Sequence, residues 1–158
     1  MKPILLLLVF SALLVASSCD PLETDIASSS WKRFTAERVD SSGVGDSLRM
    51  MSWNIQHGGG GRYYFYHCTS QEALADEERV RGNLQQITAA LDSLRPDVLF
   101  LQRADIKAKR SAYINQVQYM LDSSHLNYAV YIPMLQSDFL PYYGLGPVNS
   151  GVAILSRL

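Results

Sequence analysis

Apolar residues recur along this chain at spacings that predict alternating strands and helices. Within residues 71–95 they step by three and four, the spacing of one face of an amphipathic helix: Val80, Leu84, Ile87, Leu91 and Leu94. A short, almost continuous apolar run at residues 97–102 follows at once and predicts a strand covered on both faces. Similar patterns predict strands at residues 48–56, 126–132 and 151–156, a helix at 112–123, and a loop at 133–150. Together they predict an α/β fold.

The first part of the chain has a different pattern. A basic tip, an apolar run at residues 4–16 and small residues before Cys19 are typical of an export signal, so we exclude residues 1–18 from the fold. Ala16-Ser17-Ser18-Cys19 also resembles the lipobox of bacterial lipoproteins, in which the cysteine carries lipid and becomes the new N-terminus. An ordinary secretory signal fits the same small residues. We predict lipidation at Cys19, and hence a membrane-anchored lipoprotein in the periplasm or on the cell surface.

The serine-rich stretch at residues 19–47 has no sustained apolar period, and we predict that it tethers a domain at residues 48–158. The formal net charge is −1, from 14 Lys and Arg against 15 Asp and Glu, so no overall basic field attracts nucleic acid. Any contact with a polyanion must be local. If Cys19 carries lipid, Cys68 remains a lone thiol, and a disulfide framework is not expected.

Three segments resemble successive blocks of one protein superfamily. They are Met51-Ser52-Trp53-Asn54-Ile55, then Arg95 to Gln102 (Arg-Pro-Asp-Val-Leu-Phe-Leu-Gln), then Gly151 to Arg157 (Gly-Val-Ala-Ile-Leu-Ser-Arg). In order and spacing they are similar to the endonuclease/exonuclease/phosphatase superfamily, which has the DNase I-like fold. The resemblance implies a four-layer α/β sandwich of which only the first half is present. Half of such a sandwich would expose an apolar face.

The resemblance also implies a chemistry, namely hydrolysis of a phosphoester with Mg²⁺ or Mn²⁺. Implied substrates and partners range from nucleic acid to phospholipid head groups. Asn54 matches the family asparagine that organises the metal and phosphate site, so it is the implied catalytic and metal-binding residue. An amide suits this task because its oxygen is a hard ligand and its NH₂ group donates to phosphate. The plain alternative is an asparagine that caps the end of a strand.

One position departs from the family pattern. The family has a metal-binding glutamate directly after Leu-Gln, whereas this chain has Arg103. Two unit charges ~4 Å apart interact by ~4 kcal/mol at an effective dielectric of ~20, and a divalent ion roughly doubles that, so Arg103 should expel the metal. Asp105 is the nearest carboxylate and our candidate replacement ligand, the alternative being a solvated loop aspartate.

A basic cluster follows, made of Lys107, Lys109 and Arg110. We predict that Arg110 and Ser111 contact the substrate phosphate, the alternative being a solvated loop. The family's water-activating histidine and Asp-x-Asn pair belong to its C-terminal half, and this sequence ends at Leu158. We therefore expect a metal-dependent phosphoester hydrolase that is impaired or inactive. The alternative function is a non-catalytic envelope lipoprotein whose sheet serves as a binding scaffold.

Overall fold

The computed structural model describes residues 30–40, 43, 45–60, 74–140 and 146–158. The predicted export signal, Cys19, Cys68 and the first part of the predicted tether lie outside these residues. Within the described ranges, none of the helices combines the length and the apolar character needed to cross a membrane.

The described residues form one mixed sheet with two helices. The strands are β1 (Lys32–Thr35), β2 (Met50–Asn54), β3 (Val98–Asp105), β4 (Tyr128–Leu140) and β5 (Gly146–Ser156), and the helices are α1 (Glu77–Leu94) and α2 (Gln116–Asp122). The strand order across the sheet is β1-β4-β5-β3-β2. β2 and β3 run parallel, joined through α1, and the other neighbouring strands are antiparallel. The predicted α/β class is confirmed at this level.

Helix α1 begins and ends where its sequence provides the capping groups. The Asp76 carboxylate accepts from the backbone N–H of Arg79 at 2.7 Å, and two glutamates in the first turn suit the helix dipole. Arg95, in the left-handed conformation, and then Pro96 end the helix. Leu94, the last residue of the predicted stripe, is exposed. The buried stripe consists of Val80, Leu84, Ile87, Thr88 and Leu91.

The two faces of the sheet differ in what covers them. One face packs against the helices and carries the fully buried Leu99, Leu101, Tyr131 and Leu155. The other, called here the open face, alternates with it along each strand and carries exposed apolar side chains: Met50, Phe100, Tyr128, Val130, Ile132 and Ile154. The prediction that β3 is covered on both faces is wrong, because Phe100 on the open face is 38% exposed.

Strand β1 shows that the folded unit extends into the predicted tether. Lys32–Thr35 pairs antiparallel with β4, and the Ala36 N–H donates to the Asn127 carbonyl at 2.8 Å. The predicted domain start at Leu48 is therefore too late. Four mostly exposed edge residues carry no apolar period of their own, so only pairing with β4 makes this segment a strand.

The predicted loop at residues 133–150 is also wrong, because β4 continues to Leu140 and β5 begins at Gly146. Irregular pairing hides these strands from the sequence pattern. The register slips by one residue at Arg103 on β3 and at Met134 on β4, so each is an extra, bulged residue beside the same stretch of β5. A bulge breaks the alternation on which strand prediction depends.

Candidate functional site

A pocket of about 450 Å³ lies at the level where both neighbours of β5 bulge. We call it the bulge pocket. Its lining residues are His57, Gln102, Arg103, Arg110, Met134, Leu135, Ser150, Gly151 and Val152. Both extra residues, Arg103 and Met134, are among them, so the irregular pairing builds the pocket. Bulges that redirect a side chain are frequent beside functional sites.

Arg103 is the exposed cation of the bulge pocket. Its backbone is left-handed, with a φ of 54°, which is uncommon for a residue with a side chain. Such a conformation costs free energy and is found most often at functional sites. No hydrogen bond or ion pair joins the Arg103 side chain to another residue of the described ranges. Its guanidinium therefore keeps its donors for a ligand.

Arg110, in contrast, is buried in an ion pair. Its Nε donates to Oδ2 of Asp105 at 2.8 Å, and its Nη2 donates to Oδ1 of the same carboxylate at 2.8 Å. Asp105 is fully buried and Arg110 is 5% exposed. Two parallel N–H···O bonds between charged groups are the strongest arrangement that this pair can form. The planar fork of Arg110 is thus used inside the protein.

Two further side chains complete this cluster. The Ser111 hydroxyl donates to Oδ2 of Asp105 at 2.9 Å. The His57 Nδ1 atom lies 2.8 Å from Nη2 of Arg110 and 3.1 Å from Oδ1 of Asp105, two contacts that ask opposite roles of it. Because arginine only donates, the shorter contact makes Nδ1 an acceptor and places the ring proton on Nε2. We call Asp105, Arg110, Ser111 and His57 the buried network.

The charges of the buried network cancel. Burial alone would raise the pKa of the Asp105 carboxyl, but the hydrogen bonds from Arg110 and His57 outweigh burial and hold that pKa well below its ordinary value. Asp105 therefore stays ionised at neutral pH and balances Arg110. Since no acidic residue lines the bulge pocket, the positive charge of Arg103 is left uncompensated there.

Gln116, the first residue of α2, fixes the buried network to the backbone. It is fully buried; its Oε1 accepts from the Asp105 N–H at 3.0 Å, and its Nε2 donates to the His57 carbonyl at 2.6 Å. One side chain thus ties the end of β3 to the turn after β2. A close approach also makes Gln116 pack against Gly58, where an added Cβ would lie 3.1 Å from its Nε2.

Gly151 lies on β5 between the two bulges. A Cβ on Gly151 would lie 2.1 Å from the Ile132 carbonyl oxygen and 2.8 Å from the ring of Tyr131. That ring is buried, and its hydroxyl donates to Oδ1 of Asn149 at 2.7 Å. Burial, followed by the nearby negative charge of Asp105, raises the pKa of Tyr131. The floor of the pocket is therefore closely packed and has room only for glycine at this position.

The structure separates some of the predicted site residues and joins others. Asn54 is exposed, its Oδ1 accepts from the Gln56 N–H at 3.1 Å, and it lines a different pocket from Arg103. The turn contact agrees with the plain alternative of a residue capping a strand end. Asp105, Arg110 and Ser111 do come together, but they bind one another.

These residues do not suit a divalent cation. Arg103, at the family glutamate position, is a cation, and both oxygens of Asp105 are already engaged inside the protein. Asn54 lines the neighbouring pocket instead of facing Asp105. Over the ranges that the structure describes, no three His, Cys, Asp or Glu side chains group as metal ligands would.

Comparison with known proteins gives no relative. The chain matches no family model, no curated protein and no solved structure. What the site can do therefore follows from its own residues.

Three residues of the site had no predicted role: His57, Gln116 and Ser150. His57 lies three residues after Asn54, close to the first resembling block, which is the one sequence signal that pointed towards it. Ser150 directly precedes the third block, and its hydroxyl lies 3.5 Å from Nδ1 of His57. Gln116 has no such signal, since a polar residue at the start of a helix is ordinary.

Proposed function

We propose that this chain binds a phosphodiester in the bulge pocket and does not hydrolyse it through a metal at Arg103. The observation that carries the proposal is the single uncompensated cation, Arg103, in a pocket without acidic residues. A phosphodiester carries one negative charge, which matches this excess. The predicted binding-scaffold function is thereby favoured over the predicted hydrolase.

The donors of the pocket suit phosphate oxygens. The guanidinium of Arg103 offers two parallel N–H groups, the geometry that recognises phosphate in bidentate fashion. His57 also lines the pocket, and with Nδ1 accepting from Arg110 its Nε2–H is a further donor. The Ser150 hydroxyl is a third. The buried network keeps these groups in place, because a half-satisfied network of this kind would be costly.

The resemblance to the endonuclease/exonuclease/phosphatase superfamily supports the same placement. Its three blocks fall on β2, β3 and β5, three adjacent strands of the sheet, and the family metal position is occupied by Arg103. We propose that the sheet and helices are the first half of a DNase I-like four-layer sandwich. In this proposal a phosphate-binding place remains where the family holds metal and phosphate together.

Lipid on Cys19 is the proposed attachment to the membrane, in the periplasm or on the cell surface. The support is the apolar run followed by Ala-Ser-Ser-Cys. We expect the mature protein to fractionate with membranes and Cys19→Ala to remove this behaviour, because a diacylated cysteine anchors stably. Export of the unmodified wild type as a water-soluble protein would contradict the proposal.

The binding proposal is tested with dimethyl phosphate, the simplest phosphodiester, by equilibrium titration. We expect saturable binding that a metal chelator leaves unchanged and that Arg103→Gln weakens by about tenfold or more, since a charged hydrogen bond contributes about 1.5–3 kcal/mol. The matched control is Arg38→Gln, another exposed arginine, which follows β1 at the opposite end of the sheet. It should bind like the wild type.

Metal and hydrolysis are tested separately. We expect no release of nitrophenolate from bis-para-nitrophenyl phosphate with Mg²⁺ or Mn²⁺, and weak metal binding that Arg103→Glu strengthens, because a carboxylate replaces a cation. Asp105→Ala should not lower metal affinity. Tight Mg²⁺ binding by the wild type that is lost on Asp105→Ala, or phosphodiester binding that requires the metal, would overturn the proposed function.

A further inference from the structure

We propose that the ligand of the bulge pocket is an amphiphilic phosphodiester, with its phosphate at Arg103 and an apolar chain lying along the open face. This inference rests on the proposed phosphodiester binding and names the class of ligand. Two observations carry it: the apolar lining beside Arg103, and the continuation of that lining onto the sheet.

The lining of the bulge pocket is largely apolar apart from its few donors. Met134, Leu135 and Val152 lie beside Arg103, and Met134 is 69% exposed. A methionine adapts its shape to an irregular apolar ligand. A fully hydrophilic phosphodiester would leave these side chains in water, whereas an attached alkyl group would cover them.

The apolar surface continues from the pocket along the sheet. Val152 is paired with Ile132, and in the next open-face pair Ile154 lies beside Val130. These four residues are called here the apolar strip. Ile132 is 49% exposed and Ile154 is 48% exposed, on a sheet that rises about 3.3 Å per residue. Single exposed apolar residues are ordinary, but a contiguous exposed patch is typical of a binding surface.

The charge pattern gives the ligand its direction. Arg103 lies at the pocket end of the apolar strip, and the four residues of the strip carry no charge. One cation followed by an apolar surface matches a molecule with one anionic head and one apolar tail. A nucleic acid strand would instead present a phosphate at every nucleotide and would need a row of cations. The apolar strip offers none.

The test is a titration series of methyl alkyl phosphates, from dimethyl phosphate through methyl butyl to methyl hexyl phosphate. Head and charge stay constant while the tail grows. We expect affinity for the wild type to rise by about twofold to fourfold for each added methylene that is buried. Ile132→Thr, which keeps the branched shape preferred in strands, should reduce the gain for the hexyl compound and leave dimethyl phosphate binding unchanged.

The control is Met50→Thr, an exposed apolar residue of the open face at the far end of β2. It should leave the whole series unchanged. Because Ile132 is half exposed we expect Ile132→Thr to fold, and Ile154→Thr repeats the test one pair further along the strip. Thermal melts of the variants verify folding.

The outcomes separate this inference from the proposed function. Binding of dimethyl phosphate without any dependence on tail length would overturn the amphiphile and leave the phosphodiester site intact. Equal binding of the hexyl compound by the wild type and Arg103→Gln would overturn the proposed function. A single-stranded oligonucleotide that binds more tightly than the hexyl compound, at the same salt, would also contradict the amphiphile.

Discussion

Arg103 and Arg110 lie in one short segment of the chain and line the same pocket, yet their surroundings differ. Arg110 is buried and gives its fork to Asp105, whereas Arg103 is exposed, bulged out of β3 and without a partner for its side chain among the described residues. The difference teaches that a basic cluster in a sequence does not identify the residue that binds. The partner of each cation does.

The first way to break this comparison is to remove the buried cation. Arg110→Gln leaves the Asp105 carboxylate buried without its partner, which costs about 3–5 kcal/mol of the free energy of unfolding. Denaturant unfolding measures the loss. Arg81→Gln is the matched control, because Arg81 pairs with Glu77 on the exposed side of α1, with side chains 52% and 62% exposed, and such a pair contributes about 0.3–0.5 kcal/mol. Similar losses for both variants would contradict the assignment.

Acid tests the same buried network from the side of Asp105. Its pKa in the folded protein is lowered, so its contribution to stability is present above the unfolded pKa of about 3.9 and is lost as pH falls below that value. We expect the free energy of unfolding of the wild type to fall steeply from about pH 5 downwards. Asp105→Asn should be less stable at pH 7 and have a shallower slope. An unchanged slope would show that Asp105 does not titrate as an ion-paired carboxylate.

A smaller effect is expected from the floor between the two arginines. Gly151→Ala places a methyl group against the Ile132 carbonyl, and we expect a loss of about 1–3 kcal/mol, as for other overpacked sites. Gly82→Ala is the opposite control, since a Cβ there meets nothing within 4 Å, and in the interior of α1 it should stabilise the protein by up to about 1 kcal/mol. Thermal unfolding distinguishes the two signs.

The smallest effect on stability is expected at Arg103. Arg103→Gln removes an exposed cation that holds no partner among the described residues, so the free energy of unfolding should change by less than about 0.5 kcal/mol. It should increase slightly if relief of self-repulsion from nearby Lys107 matters. A loss comparable to that of Arg110→Gln would mean that Arg103 has a structural partner and would remove the basis of the comparison.

The sequence predicted the regular parts of the fold well. The stripe of α1 and the strands around Trp53, Leu101 and Leu155 follow from apolar spacing, because a residue's side of an element is set by local geometry. β1 and the outer halves of β4 and β5 were missed for a physical reason. A short edge strand and bulged strands become strands only through pairing with distant residues, which no local pattern records.

The candidate site was predicted in its residues more than in their roles. Asp105, Arg110 and Ser111 were singled out, and the structure brings them together, but as partners of one another. Sequence spacing could not show this, because the pairing depends on the turn after β3 that folds Arg110 back over the strand. The importance of Arg103 was visible as a charge out of place, and its bulge explains how that charge reaches the pocket.

Side-chain NMR of the two arginines during a dimethyl phosphate titration tests the central claim most directly. Each Nε–H gives its own signal, so one sample compares both residues under identical conditions. We predict that the Arg103 signal shifts with ligand, while the Arg110 signal keeps the slow solvent exchange of a buried hydrogen bond throughout. Loss of that protection at Arg110, with an Arg103 signal that does not move, would show that the roles of the two arginines are the reverse of those proposed.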